Sequence, residues 1–243
     1  MLNAALWGGL SASSLIVGAL IALHRPVRSS IIGLVMGFGA GALISAISFE
    51  LIGDALENSA EFSSIASGLA VGALSFFVGD WYVDQRGGEK RKQINPSDDI
   101  GDPNAIVIGT VLDGIPESLV IGVSLVAGGG VSVAMVAAAF ISNVPESLSA
   151  TTGLWKSGVP KASIMRMWFV IVAISGVSAA VGYLILESSP ASWTAVIQSF
   201  AAGAVLTMLA DSMMPEAFAK GGKLVGLVTV LGFAIAVWIS SIQ

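Results

Sequence analysis

Apolar runs of about twenty residues, the length that crosses a bilayer core as a helix, follow one another along almost the whole of this sequence. Eight segments qualify, at roughly 2–23, 31–56, 65–84, 102–127, 131–155, 161–186, 191–218 and 222–242. Only 11% of the 243 residues are charged, where a soluble domain carries about a quarter. The expected fold is therefore all-α, a polytopic membrane protein whose eight helices form a single transmembrane domain over 1–243.

The charges then orient the segments. Arg25 and Arg28 follow the first; Arg86, Lys90, Arg91 and Lys92 follow the third; Lys156, Lys161 and Arg166 surround the turn between the fifth and sixth; Lys220 and Lys223 follow the seventh. With eight spans, all eleven basic residues fall on one side, and adding or dropping a span would divide them. By the positive-inside rule that side is cytoplasmic and both termini lie outside. Glu57, Glu61 and Glu187 lie on the other side without a basic neighbour. The longest polar connection, 85–101, is too short for a domain. No positive charge precedes the first run, so that run is expected to be a membrane helix rather than a cleaved signal. Short loops, small size and the lack of a targeting segment point to a prokaryotic inner membrane.

Composition narrows the chemistry. There is no cysteine and a single histidine, His24, which removes disulfides, thiolate sites and histidine clusters. Metal chemistry here is expected to use oxygen donors. The basic residues are confined to short connections, so no nucleic-acid partner is expected; the partners are the lipid bilayer and a small solute or ion.

Inside this apolar sequence one motif occurs twice: Asp113-Gly-Ile-Pro116-Glu117 in the fourth segment and Ser142-Asn143-Val-Pro145-Glu146 in the fifth. An acid at the centre of a membrane helix costs about 2.5–3.5 kcal/mol. Asp113, Glu117 and Glu146 therefore require a compensating partner. No Lys or Arg lies between Lys92 and Lys156, which leaves a bound cation or protons. Asp113 and Glu117 are i, i+4 neighbours on one helical face, with Thr110 and Ser124; Ser142, Glu146, Ser149 and Gly153 repeat the pattern on the next helix. Pro116 and Pro145 cannot donate to the carbonyls of Leu112 and Ile141, so each helix is expected to loosen there and free a main-chain oxygen. Carboxylates, hydroxyls and freed carbonyls on two facing helices suit a divalent cation.

A weak internal repeat links the second and seventh segments. Gly37-Phe38-Gly-Ala-Gly41-Ala, followed by Glu50 and Asp54, echoes Ser199-Phe200-Ala-Ala-Gly203-Ala, followed by Asp211 and Glu216. The two segments run in opposite directions, and inverted repeats around a central site are a transporter signature. Glu50 and Asp54 would mark an entrance, Asp211 and Glu216 an exit. Gly33, Gly37 and Gly41 read as close-packing surfaces, which would serve a homodimer as well as the interior.

Plainer readings hold elsewhere. Met208, Met213 and Met214 read as packing or lipid-facing residues, and His24 as an interfacial one. Asp80 and Asp84 read as solvated helix-end charges. Ser149 and Thr152 are as well explained by bonds to their own helix.

At the two Pro-Glu motifs the chain resembles the ZIP (Zrt/Irt-like) family of divalent metal transporters. The resemblance extends to eight helices with outward termini and implies a 3+2+3 arrangement in which helices 4 and 5 hold the metal. It implies a site of Asp113, Glu117, Ser142 and Glu146, with Asn143 beside it. The family's motif histidines are absent, Gly114 stands at its helix 4 Asn position, and the polar connection lacks histidine. An oxygen-only site would shift preference from Zn²⁺ toward Mn²⁺, Fe²⁺ or Mg²⁺. The function expected is movement of a divalent metal of the zinc, iron or manganese class into the cytoplasm, with the metal as substrate, no bound cofactor and no enzymatic activity. A proton-coupled carrier of an organic solute is the alternative, because adjacent carboxylates can share a proton. An intramembrane hydrolase is the third, but His-Glu-x-x-His, Gly-x-Ser-x-Gly and Gly-x-Gly-Asp are all missing.

Overall fold

The computed structural model describes residues 1–57, 61–85, 103–127, 132–190 and 193–242, without the side chains of 103–106 and 127. The connection 85–101, with its four basic residues, lies outside the described residues apart from Gln85. Among the described residues there are eight helices and no strand: α1 Leu2–His24, α2 Ser29–Glu57, α3 Phe62–Gln85, α4 Pro103–Ala127, α5 Val133–Lys156, α6 Lys161–Ser188, α7 Thr194–Gly221 and α8 Leu224–Ser240. Seven are long and apolar enough to cross a membrane, and α8, at 17 residues, is shorter; at 1.5 Å per residue it reaches only about 25 Å. The protein is an all-α polytopic membrane protein.

Local chemistry sets the helix ends. Ser132 caps α5 by accepting the Met135 N–H at 2.9 Å, which satisfies one of the donors a helix start leaves open. The α5–α6 turn passes through Gly158 at φ 84° and the α7–α8 turn through Gly222 at φ 66°, in the left-handed region that glycine enters without a Cβ penalty. Lys161 Nζ donates to the Leu23 carbonyl at 3.2 Å, bringing the end of α1 to the start of α6. Gly33 abuts Gly221, joining the start of α2 to the end of α7. The basic residues of these helix ends therefore share one end of the bundle. At the other end Ser240 donates to Glu50 at 2.9 Å. We call these the basic and acidic ends.

The main helix pairs are α1 with α5 and α6, α4 with α6 and α7, α2 with α5, α7 and α8, and α3 with α7. Exchanging α1–α3 with α6–α8, and α4 with α5, leaves that pattern unchanged. The equivalence holds at single residues. A Cβ on Gly41 would strike the Thr229 carbonyl oxygen, and one on Gly203 would strike that of Leu69; Gly232 lies against the Phe38 carbonyl as Gly72 lies against that of Phe200. In lipid, helices gain no hydrophobic drive to associate, so this backbone approach across glycine is a principal source of contact. The sequence echo between α2 and α7 thus extends to α3 and α8. Both outer helices turn large side chains such as Leu74, Phe77, Leu227 and Trp238 outward, whereas Met36, Leu43, Leu51, Met208 and Leu209 fill the centre.

The backbone departs from α geometry in an unexpected place. Helices α4 and α5 remain α-helical through Pro116 and Pro145, so the loosening expected there is not seen as a break. Instead α2 turns π-helical over Ile47–Gly53 and α7 over Leu209–Met213, segments that start at equivalent positions of the repeat. In α7, Pro215 lacks the N–H that would bond the Asp211 carbonyl, which favours a wider turn at that point.

Candidate functional site

The two Pro-Glu helices place their acids unequally. Glu117 is 4% exposed and Ser142 fully buried, with Ser142 Oγ 3.3 Å from Glu117 Oε1. That hydroxyl also lies 2.9 Å from the Ala139 carbonyl, and its one proton serves one acceptor at a time. The other Glu117 oxygen is buried without a hydrogen-bond partner among the described residues. Asn143 is buried beside Ser142 but does not line the neighbouring cavity.

Asp113 and Glu146 do line it. Met36 of α2 and Met208, Ser212, Met213 and Glu216 of α7 complete the wall of a cavity of about 20 Å³, room for one water-sized occupant. Among the described residues no group of three His, Cys, Asp or Glu side chains converges tightly enough to hold a metal ion. The carboxylates bordering this cavity are thus two from the motif helices and that of Glu216, with methionine and serine neighbours.

Met208, Met213 and Met214 were read from sequence as packing or lipid-facing residues, and Met36 was not singled out. Met36, Met208 and Met213 are indeed buried in the central apolar cluster, yet the same side chains face the cavity. The lining is therefore not limited to oxygen-bearing residues, since three methionines border it. On an apolar helix a packing methionine and a lining one look alike, so sequence spacing carried no signal.

At the basic end Glu216 is held by Lys220, its i+4 neighbour, and Lys220 also donates to Ser149. Ser149 donates to Glu216 at 2.7 Å, tying α5 to α7. Ser149 thus has a partner across helices, unlike Thr152, which donates to the Leu148 carbonyl at 2.7 Å. The Lys220–Glu216 pair was legible in the i, i+4 spacing; Ser149 joining it depends on how the helices pack.

The four mouth acids divide. Glu216 reaches the cavity. Glu50 and Asp54 are half-buried at the acidic end, away from it. Asp211 is exposed and borders a separate open groove of about 400 Å³ between α3 and α7, with Leu69, Phe77 and Thr207. Asp80 is only 2% exposed, so it is not a solvated helix-end charge. His24 is exposed, and its Nδ1 lies 2.8 Å from the Leu20 carbonyl at the end of α1, as an interfacial residue would. Thr110 and Ser124 are buried on α4, Ser124 donating to its own helix at the Ile121 carbonyl. Comparison with protein-family models and with curated proteins gave no match.

Proposed function

We propose that this protein is a transporter of divalent metal cations, related in mechanism to the ZIP family that its Pro-Glu motifs resemble. The observation that carries the reading is the meeting of Asp113 and Glu146, one from each motif helix, on a single cavity. Acids at membrane depth are retained where they serve a pathway or a bound charge. A cation entering between these two carboxylates replaces part of its hydration shell with their oxygens. Lys220 holds Glu216, and Asp113 and Glu146 are the acids that the two motif helices bring to the cavity. The inverted repeat supplies two related halves that can rock about the site.

The mixed wall also refines the cargo. Thioethers are soft donors and carboxylates hard ones, so their combination favours borderline ions such as Fe²⁺, Zn²⁺ or Co²⁺ over a hard ion such as Mg²⁺. With the basic end in the cytoplasm and both termini outside, the acidic end would gather cations and direct them inward, across a prokaryotic inner membrane.

Uptake by proteoliposomes of purified protein, measured for Zn²⁺, Fe²⁺, Mn²⁺, Co²⁺ and Mg²⁺, tests this. Saturable uptake of borderline ions, with Mg²⁺ poorest, is the expected result. Absence of uptake for every metal by folded protein would overturn it, and pH-driven transport of an organic solute would then take its place.

A further inference from the structure

The inverted repeat gives residues of the cavity counterparts, and by that symmetry the counterparts lie toward the acidic side. From the α2–α7 and α4–α5 alignments, Met36 corresponds to Gln198, Met208 to Ala46, and Ser212 to Glu50. Asp113 corresponds to Ser142, and Glu146 to Glu117. The first set borders the open cavity. In the second, Gln198, Ala46 and Ser142 are fully buried, Glu117 nearly so, and Glu50 half-buried, bonded by Ser240.

One member of the second set has no structural explanation. Gln198 is 0% exposed, yet neither its amide nitrogen nor its carbonyl oxygen has a hydrogen-bond partner among the described residues. Burying an amide unsatisfied is costly, and packing alone would be served as well by the methionine that stands at the equivalent place in α2. Gln198 lies on the same helical stripe as Val205, Met208 and Ser212, the last two of which line the cavity. Glu117, in the same set, also keeps an unpartnered buried oxygen.

We infer that Gln198, Glu117, Ser142 and Glu50 form a second cation site, opened on the acidic side when the repeats exchange conformations and packed shut in the present one. Resting on the transport reading above, the inference adds the donors of the other state. They differ in kind: an amide carbonyl, a hydroxyl and carboxylates replace the thioethers of Met36 and Met208. The acidic-side site is thus oxygen-only and receives a hydrated divalent cation of the Mn²⁺ type, which then passes to the thioether-bordered cavity.

The absence of cysteine from the sequence makes a direct test available. Ala46→Cys places a small thiol in the second set and leaves every proposed donor intact. Labelling by a membrane-impermeant maleimide applied from the side bearing Leu56 is expected, at roughly 0.1–10% of the rate of Leu56→Cys if the open state is a minor one. Mn²⁺ should slow that labelling, and adding Gln198→Leu should raise the Mn²⁺ needed by roughly 10–100-fold. Met208→Cys should label from the basic side instead. If Ala46→Cys labels no faster than Leu15→Cys, a buried α1 position, the site does not open; if it labels but Mn²⁺ gives no protection, it is not a cation site. Either result overturns the inference. Should Ala46→Cys not fold, Gln198→Cys gives the same labelling comparison. Protection reports binding without transport, so this inference and the uptake reading can fail separately.

Discussion

Glu117 and Glu146 hold matching places in two copies of one motif, yet the first is sealed against Ser142 while the second borders the cavity. Nothing in the motifs themselves distinguishes them. The difference arises from what α2 and α7 set beside them. Glu146 meets the end of α7 that carries Ser212 and Glu216, and Glu117 belongs to the packed set that includes Ala46 and Gln198. On the inference drawn above, exchange of the near-symmetric halves reaches a second arrangement. On the transport reading, two copies of one motif then serve two sides of a single pathway.

The largest effect that would sharpen this comparison is expected from Glu146→Gln, which should lower metal uptake by about 100-fold or more, beyond the roughly 10–100-fold typical of residues that only support a ligand. Glu117→Gln should also abolish uptake if both sides are needed in one cycle. Full uptake by that variant, measured in the same vesicles, would reduce Glu117 to a packing role. Next come the glycines that define the repeat. Gly41→Ala and Gly203→Ala each drive a Cβ into a neighbouring main-chain oxygen and should cost similar amounts, about 1–3 kcal/mol, in denaturation of the purified protein. Gly9→Ala, with no atom within 4 Å of the added Cβ, should instead stabilise by about 0.5–1 kcal/mol. Unequal losses at Gly41 and Gly203 would break the claim that the halves are equivalent.

Smaller effects test the two ends. Ser142→Ala removes the hydroxyl beside Glu117 and should cost about 1 kcal/mol of stability, with uptake reduced less than by Glu146→Gln. Lys220→Met frees the Glu216 carboxylate at the cavity. Partly exposed ion pairs contribute about 0.2–1 kcal/mol, so metal affinity should rise by no more than about fivefold, read from the concentration for half-maximal uptake. A fall in affinity would mean that Lys220 orders the cavity more than it competes for its acid.

Much of this architecture was legible in the sequence because membrane helices announce themselves by length. The eight segments agree with the observed helices to within a few residues, and the acids of the Pro-Glu motifs stood out because lipid tolerates so few. The echo around Phe38 and Phe200 correctly paired α2 with α7, since close glycine packing fixes residue type. What could not be read was anything decided between helices. The π-helical stretches at Ile47 and Leu209 carry no local sequence signal beyond Pro215, which hinted at one. The prolines drew attention to α4 and α5, which instead remain α-helical. Ser149 bonds Glu216 because α5 and α7 meet there, and the methionines line the cavity because of the rotation of α2 and α7. Gln198 was overlooked because a neutral amide in an apolar run attracts less notice than an acid.

The central claim is that the cavity between Asp113 and Glu146 lies on the path of a divalent cation. Uptake by Glu146→Gln set beside Glu187→Gln, an exposed acid bonded to Tyr183 at 2.9 Å, tests it most directly. The account predicts that the first variant loses saturable uptake of Fe²⁺, Zn²⁺ and Mn²⁺ while the second retains it. Undiminished uptake by correctly inserted Glu146→Gln protein would place the path elsewhere and contradict the account.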